Sequence, residues 1–141
     1  MTQEDKELLL KDLSARLPYG VKLGFYASAT KQTHICTLLG LEPQEDEPII
    51  AKTENGSFYM LAGNVKPYLI PMSSMTEEQK REYNSLRDFV PTYHYEYGDI
   101  VEDMELYDNW GSIDYLIANH FDYRGLIPKG LALDATGLKI Y

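Results

Sequence analysis

From Asp88 to Tyr123 the chain carries no Lys or Arg, while Asp88, Glu96, Asp99, Glu102, Asp103, Glu105, Asp108, Asp114 and Asp122 supply nine of its 22 acids. The other 13 acids match the 13 bases, so the whole net charge of −9 resides in this one segment. Asp99, Glu102, Asp103 and Glu105, with His94 nearby, offer hard oxygen ligands and one imidazole, a set able to hold Mg²⁺ or Mn²⁺ and activate water. Their spacing matches no recognised metal motif, and the alternating acids and central glycine of a calcium loop are missing. The expectation is therefore that no catalytic metal is bound here. Acid runs are most often solvated faces, and the next reading is a charge-based binding surface. Tyr93, Tyr95 and Tyr97 alternate beside the acids, and tyrosine gives large contact area at low entropic cost. Tyr93, Tyr95, Tyr97, Asp99, Glu102, Asp103 and Glu105 form the candidate binding set.

Other chemistry is sparse. His34 and Cys36 are two apart in a β-branched and aliphatic run, so they share a strand face, yet a zinc site needs at least three protein ligands and no C-x-x-C or H-x-x-x-H pair completes one. Cysteine catalysis would need Cys36 beside His34, His94 or His120, and nothing in the order of residues places them together. A buried, inert thiol is expected. No G-x-S-x-G, G-x-x-x-x-G-K-[ST], H-E-x-x-H or G-x-G-x-x-G occurs, and no cofactor is expected. His120 falls at a helix end, where an imidazole can bond free carbonyls.

The elements that must position these residues follow from patterning. Thr2 precedes a helix over about residues 3–16, with Leu9, Leu10, Leu13 and Leu17 at helical spacing, stopped by Pro18-Tyr19-Gly20. Val21, Leu23 and Phe25 alternate as a half-buried strand, and Thr33 to Leu41 reads as a second. Asn55-Gly56 predicts the tip of a two-residue β-hairpin between runs starting at Ile49 and Ser57. Val65 to Met72, with Pro67 and Pro71, reads as an edge strand. Thr76 and Gln79 make a capping box for a second helix running to about Asp88, with Tyr83 and Leu86 inward and Glu77 paired with Arg81. Thr92 to Tyr97 permits a short strand, and Gly98 to Tyr107 is loop or a turn of helix. Trp110, Ile113, Leu116, Ile117 and His120 predict a third helix. Without repeats or a linker, the pattern predicts one α+β domain over residues 1–141, a mostly antiparallel sheet of about four or five strands packed with about three helices.

Two further stretches carry a resemblance. Lys66-Pro67-Tyr68-Leu69-Ile70-Pro71-Met72-Ser73-Ser74-Met75-Thr76 and His120-Phe121-Asp122-Tyr123-Arg124-Gly125-Leu126-Ile127-Pro128-Lys129-Gly130-Leu131-Ala132 fit the segments K-P-x-L-x-P-[LM]-S-x-[LM]-T and H-F-D-x-x-G-L-I-x-x-G-L-A. In these the second half of the chain resembles an uncharacterised family of small proteins from gut-bacterial genomes, prophages and mobile elements. The resemblance implies a genomic context and a shared fold, without a reaction. Many relatives have Arg where this chain has Ile70, so no role of a cation there carries over. The residues themselves are apolar enough for core, and the second stretch is expected to cover the Lys66–Leu69 edge. Arg124 and Lys129 are expected to neutralise Asp122 or Asp134.

Length and composition set the remaining bounds. The 141 residues, 44% hydrophobic and 25% charged, can bury an ordinary core without staples. The single cysteine fits a reducing compartment, and no signal-like or membrane-spanning run occurs, so a cytoplasmic protein with no membrane role is expected. The acidic balance disfavours direct nucleic-acid binding and favours a basic protein partner. The leading expectation is a non-enzymatic interaction protein of a phage or mobile element with an acidic, tyrosine-rich surface. The alternatives are a small divalent-metal-dependent hydrolase using the acidic segment, and an acidic mimic of nucleic acid that inhibits a host DNA-binding protein. Nothing in the sequence sets the oligomeric state.

Overall fold

The computed structural model describes residues 1–141 and is an α+β structure with three α-helices and eight strands. It divides into two compact units, residues 1–74 with 117–141, and residues 75–116.

In the first unit, Thr2 caps helix α1 (Gln3–Arg16) by accepting the Asp5 N–H at 3.1 Å. Strands β1 (Lys22–Ala27), β2 (Gln32–Leu41), β3 (Ile49–Thr53), β4 (Gly56–Met60), β5 (Val65–Leu69) and β8 (Leu133–Asp134) form one sheet in the order β4-β3-β2-β1-β5-β8. Every pair is antiparallel except β5 with β8. The two-residue β8 brings the sheet to six strands. Leu9 and Leu13 of α1 join Val21, Leu23, Cys36, Leu38, Ile49, Ala51, Val65 and Leu69 in a core completed by Leu126, Leu131 and Ala132.

The C-terminal stretch covers β5 as its composition predicts. Ile70 N–H donates to His120 O and Asp122 N–H to Ile70 O, both at 2.8 Å, and Ala135 N–H donates to Leu69 O at 2.8 Å. Ladder pairing with β8 begins at Tyr68, so Pro67 faces a strand only on the β1 side, where it pairs with Leu23. A missing N–H is tolerated there.

The β3–β4 hairpin forms, one residue out of the predicted register. Thr53 pairs with Gly56, leaving Glu54-Asn55 as the loop, and only Gly56 has positive φ, 123°. The Thr53 hydroxyl accepts the Asn55 N–H and donates to Gly56 O, each at 3.2 Å, which starts the turn earlier than the Asn-Gly pair implies.

In the second unit, Thr76 and Gln79 make the capping box of α2 (Glu77–Leu86). That helix ends two residues before the expected Asp88, Leu86 is exposed rather than inward, and Glu77 pairs with Lys80 at 3.2 Å instead of Arg81. Strands β6 (Asp88–Glu96) and β7 (Asp99–Tyr107) form a separate two-stranded sheet, so the segment expected as loop or helical turn is strand. Helix α3 (Trp110–Ala118) follows; it ends before His120, which patterning predicts to belong to it, and Trp110 at its start is 92% exposed. No helix is long and apolar enough to cross a membrane.

Candidate interaction surface

The acidic, tyrosine-rich segment is a β-hairpin. Tyr97 and Gly98 close it with φ of 52° and 86°. Positive φ at both central residues is the requirement of a type I′ turn, whose twist matches that of the flanking strands. A glycine after a tyrosine, flanked by alternating residues on both sides, is the signal by which Asp99–Tyr107 could have been read as a strand.

Register then sorts the side chains, because residues opposite each other in an antiparallel pair share a face and alternate residues share it along each strand. Tyr95 faces Ile100, Tyr93 faces Glu102, Pro91 faces Met104 and Phe89 faces Leu106. That face is apolar apart from Glu102. Glu96 faces Asp99, His94 faces Val101, Thr92 faces Asp103, Val90 faces Glu105 and Asp88 faces Tyr107. This second face holds five of the hairpin's six acids, and no Lys or Arg lies on either. Of the seven residues expected to act as one set, Tyr93, Tyr95 and Glu102 therefore lie on the apolar face and Asp99, Asp103 and Glu105 on the acidic one. Tyr97 stands at the tip, 98% exposed.

Only Thr92, Val101 and Leu106 among the strand residues are partly buried; the rest are exposed, Tyr95 at 79%. On the acidic face the His94 ring lies 3.5 Å from Glu96 of its own strand and 3.3 Å from Asp103 of the neighbouring one. Glu102 points to the other side of the sheet from Asp103. The oxygen ligands of the hydrolase reading thus do not converge, and no group of three or more His, Cys, Asp or Glu is placed to hold a metal ion.

The base of the hairpin is tied within its own unit. Tyr83 donates to Asp108, and this bond together with burial pushes its hydroxyl up to about 12, burial being the larger cause. Arg87 donates to Leu106 O at 2.7 Å and lies 3.4 Å from Asp108, while Asn109 Nδ2 donates to Leu86 O at 2.7 Å. Ser112 N–H donates to Asn109 Oδ1 at 2.9 Å, capping α3.

The other residues with chemical potential are structural. Cys36 is buried, its Sγ donates to Leu23 O at 3.6 Å, and burial pushes the thiol up to about 11, away from thiolate reactivity. His34 stacks on Phe25 and meets Thr30 Oγ1 at 2.8 Å, on the wall of an open groove of about 810 Å³ that Thr53, Phe58 and Met60 also line.

His120 does not cap a helix with its side chain. Its backbone turns at φ 63°, and its ring stacks on Tyr141 with centroids 3.5 Å apart, leaving Nδ1 without a partner. Burial, then the nearby Arg16 and Lys22, lowers the imidazole to about 4. Arg124 is drawn to Asp12, 3.3 Å away, rather than to Asp122 or Asp134, because those carboxylates are already engaged by backbone. Asp122 accepts the N–H groups of Leu126 and Ile127 at 2.7 and 2.9 Å, and Asp134 accepts that of Thr136 at 2.8 Å.

Asp12 and Arg16 form the one charged pair with both side chains fully buried. Arg16 Nε donates to Asp12 Oδ2 at 2.7 Å, and Nη2 donates to Phe121 O at 2.6 Å. Patterning missed this pair, although its i,i+4 spacing on the leucine-bearing side of α1 was its one signal. No protein-family model, curated protein or solved structure matches the chain.

Proposed function

We propose that this chain is a non-enzymatic interaction protein whose β6–β7 hairpin is the contacting element, and that the acidic face of that hairpin receives a basic protein. The observation that carries the reading is the sorting of the hairpin by register. Asp88, Glu96, Asp99, Asp103 and Glu105 share one exposed face without a single Lys or Arg. The unit that contains it holds 11 acids against Lys80, Arg81 and Arg87, whereas the other unit is close to neutral, with 11 acids and 10 bases. A field so concentrated steers a cationic partner and repels a phosphate backbone. Tyr97 at the tip and Trp110 beyond the hairpin, both almost wholly exposed, are residue types that serve as interface anchors.

The mobile-element setting is the context we propose for that partner, resting on the resemblance of the Lys66–Thr76 and His120–Ala132 stretches alone. The experiment is photo-cross-linking from residue 97, with a benzophenone side chain replacing Tyr97, in extracts of a gut bacterium. A discrete adduct with a basic protein, lost when Asp103→Lys and Glu105→Lys are combined, supports the reading. Adducts that survive both substitutions contradict it.

A further inference from the structure

The apolar face of the hairpin is a separate feature, and it has no use in the binding of a basic partner to the opposite face. Phe89, Tyr93, Tyr95, Ile100 and Met104 lie on it with 56–79% of their surface in water. A lone two-stranded hairpin is marginal in water, and a continuous apolar face of this kind marks an association surface. We propose that this face packs on the same face of a second copy of the chain, giving a two-fold dimer with the acidic faces outward.

Three observations select that occupant. The first is area. An aromatic side chain buries roughly 150–250 Å², so the exposed parts of Phe89, Tyr93 and Tyr95 amount to about 400 Å². With Ile100 and Met104 each copy contributes about 600 Å², and the total of about 1,200 Å² reaches the lower end of stable interfaces.

The second is charge. Packed sheets lie about 10 Å apart face to face. With the apolar faces inward, the two acidic faces look in opposite directions, about 20 Å apart and beyond the roughly 8 Å screening length of physiological salt. A basic partner, by contrast, would find only Glu102 to pair with on the apolar side.

The third is that Glu102 itself. It stands opposite Tyr93 in the register. A two-fold running along the hairpin lays β6 of each copy over β7 of the other, and sets each Glu102 against the Tyr93 hydroxyl of the second copy. A two-fold across the hairpin through the centre of that face would lay β7 over β7 and set Glu102 over Met104 of the second copy, burying a carboxylate against an apolar side chain, which disfavours that arrangement. The one charge on the face thus fixes the orientation, tips side by side.

The test is sedimentation equilibrium of the full chain from low micromolar to several hundred micromolar. The expected result is a reversible shift from one chain mass to two. Ile100→Lys and Met104→Lys, each at an exposed position, should weaken association at least tenfold with an unchanged circular dichroism spectrum. Asp103→Lys, on the opposite face, should leave the dimer intact. A chain that stays monomeric throughout overturns the proposal, as does a dimer indifferent to both lysines on the apolar face. Because Asp103→Lys separates partner capture from self-association, a failure of this inference is distinct from a failure of the functional reading.

Discussion

Replacing Arg16 by Met keeps most of the aliphatic stem that packs in the core and removes the guanidinium. Two bonds are lost, that to Asp12 Oδ2 at 2.7 Å and that to Phe121 O at 2.6 Å. What remains is a carboxylate with no exposed surface, 3.3 Å from Arg124, and a buried Phe121 carbonyl that keeps only the Tyr123 N–H at 3.1 Å. Breaking a buried pair from one side costs about 3–5 kcal/mol when the survivor is left uncompensated, and because Arg124 still faces Asp12 the loss should fall at the lower end of that range. Since a domain of ordinary stability holds only about 5–15 kcal/mol, Arg16→Met should move the urea midpoint of unfolding far to the left. Combining it with Asp12→Leu removes the orphaned charge, and the double variant should recover at least half of the loss. That non-additivity is the signature of a coupled pair. Equal midpoints for Arg16→Met and the parent chain, or a double variant that is worse by the sum of both, would show that Asp12 and Arg16 are not coupled in this way.

Three further outcomes are expected. Leu126→Ala and Leu131→Ala, which empty buried positions, should each cost about 2–5 kcal/mol, while Glu102→Gln and Asp103→Asn, both exposed, should stay within about 0.5 kcal/mol in the same urea titration. His120 is held near 4 in the fold against 6.5 when free, so its contribution is complete above pH 6.5 and is lost as pH falls through about 4. Allowing for its partial exposure this amounts to about 1–3 kcal/mol, and the pH-dependence of the midpoint between 6.5 and 4 should flatten in His120→Asn, which tolerates the positive φ. Gly24→Ala would place a methyl 2.8 Å from Leu133 Cδ1 and 3.1 Å from Tyr68 Cε2, and should cost about 1–3 kcal/mol by overpacking, read as a lower thermal midpoint.

What could be read from the sequence was whatever local chemistry dictates. The Thr2 and Thr76 caps, the strand at Val21–Phe25 and the existence of the β3–β4 hairpin depend on neighbours within a few residues, and all are present. The candidate binding residues were also legible as a segment. Their division into two faces was not, because it hinges on the register set by Tyr97-Gly98, and a shift of one residue would exchange every side chain between faces.

Long-range pairings were the least accessible. Arg16 on the Phe121 carbonyl, Asp12 with Arg124, and His120 against Tyr141 are decided by where residues 120–141 return to α1 and β5, and no periodicity encodes that. The H-F-D-x-x-G-L-I run is explained only by its contacts. Its aspartate ties down the backbone of Leu126 and Ile127, its phenylalanine is fully buried, and Gly125 takes φ 74°, where a side chain would be strained.

Binding of a basic protein to the acidic face of the β6–β7 hairpin, as proposed, is measured by the affinity of the cross-linked partner, once purified, for the parent chain and a charge-reversed variant at two salt concentrations. Combined Asp103→Lys and Glu105→Lys should weaken binding at least tenfold at low salt, and raising salt should weaken the parent complex while changing the variant little, since exposed charges are screened. Equal affinity of both chains at both salt concentrations would contradict the proposed binding.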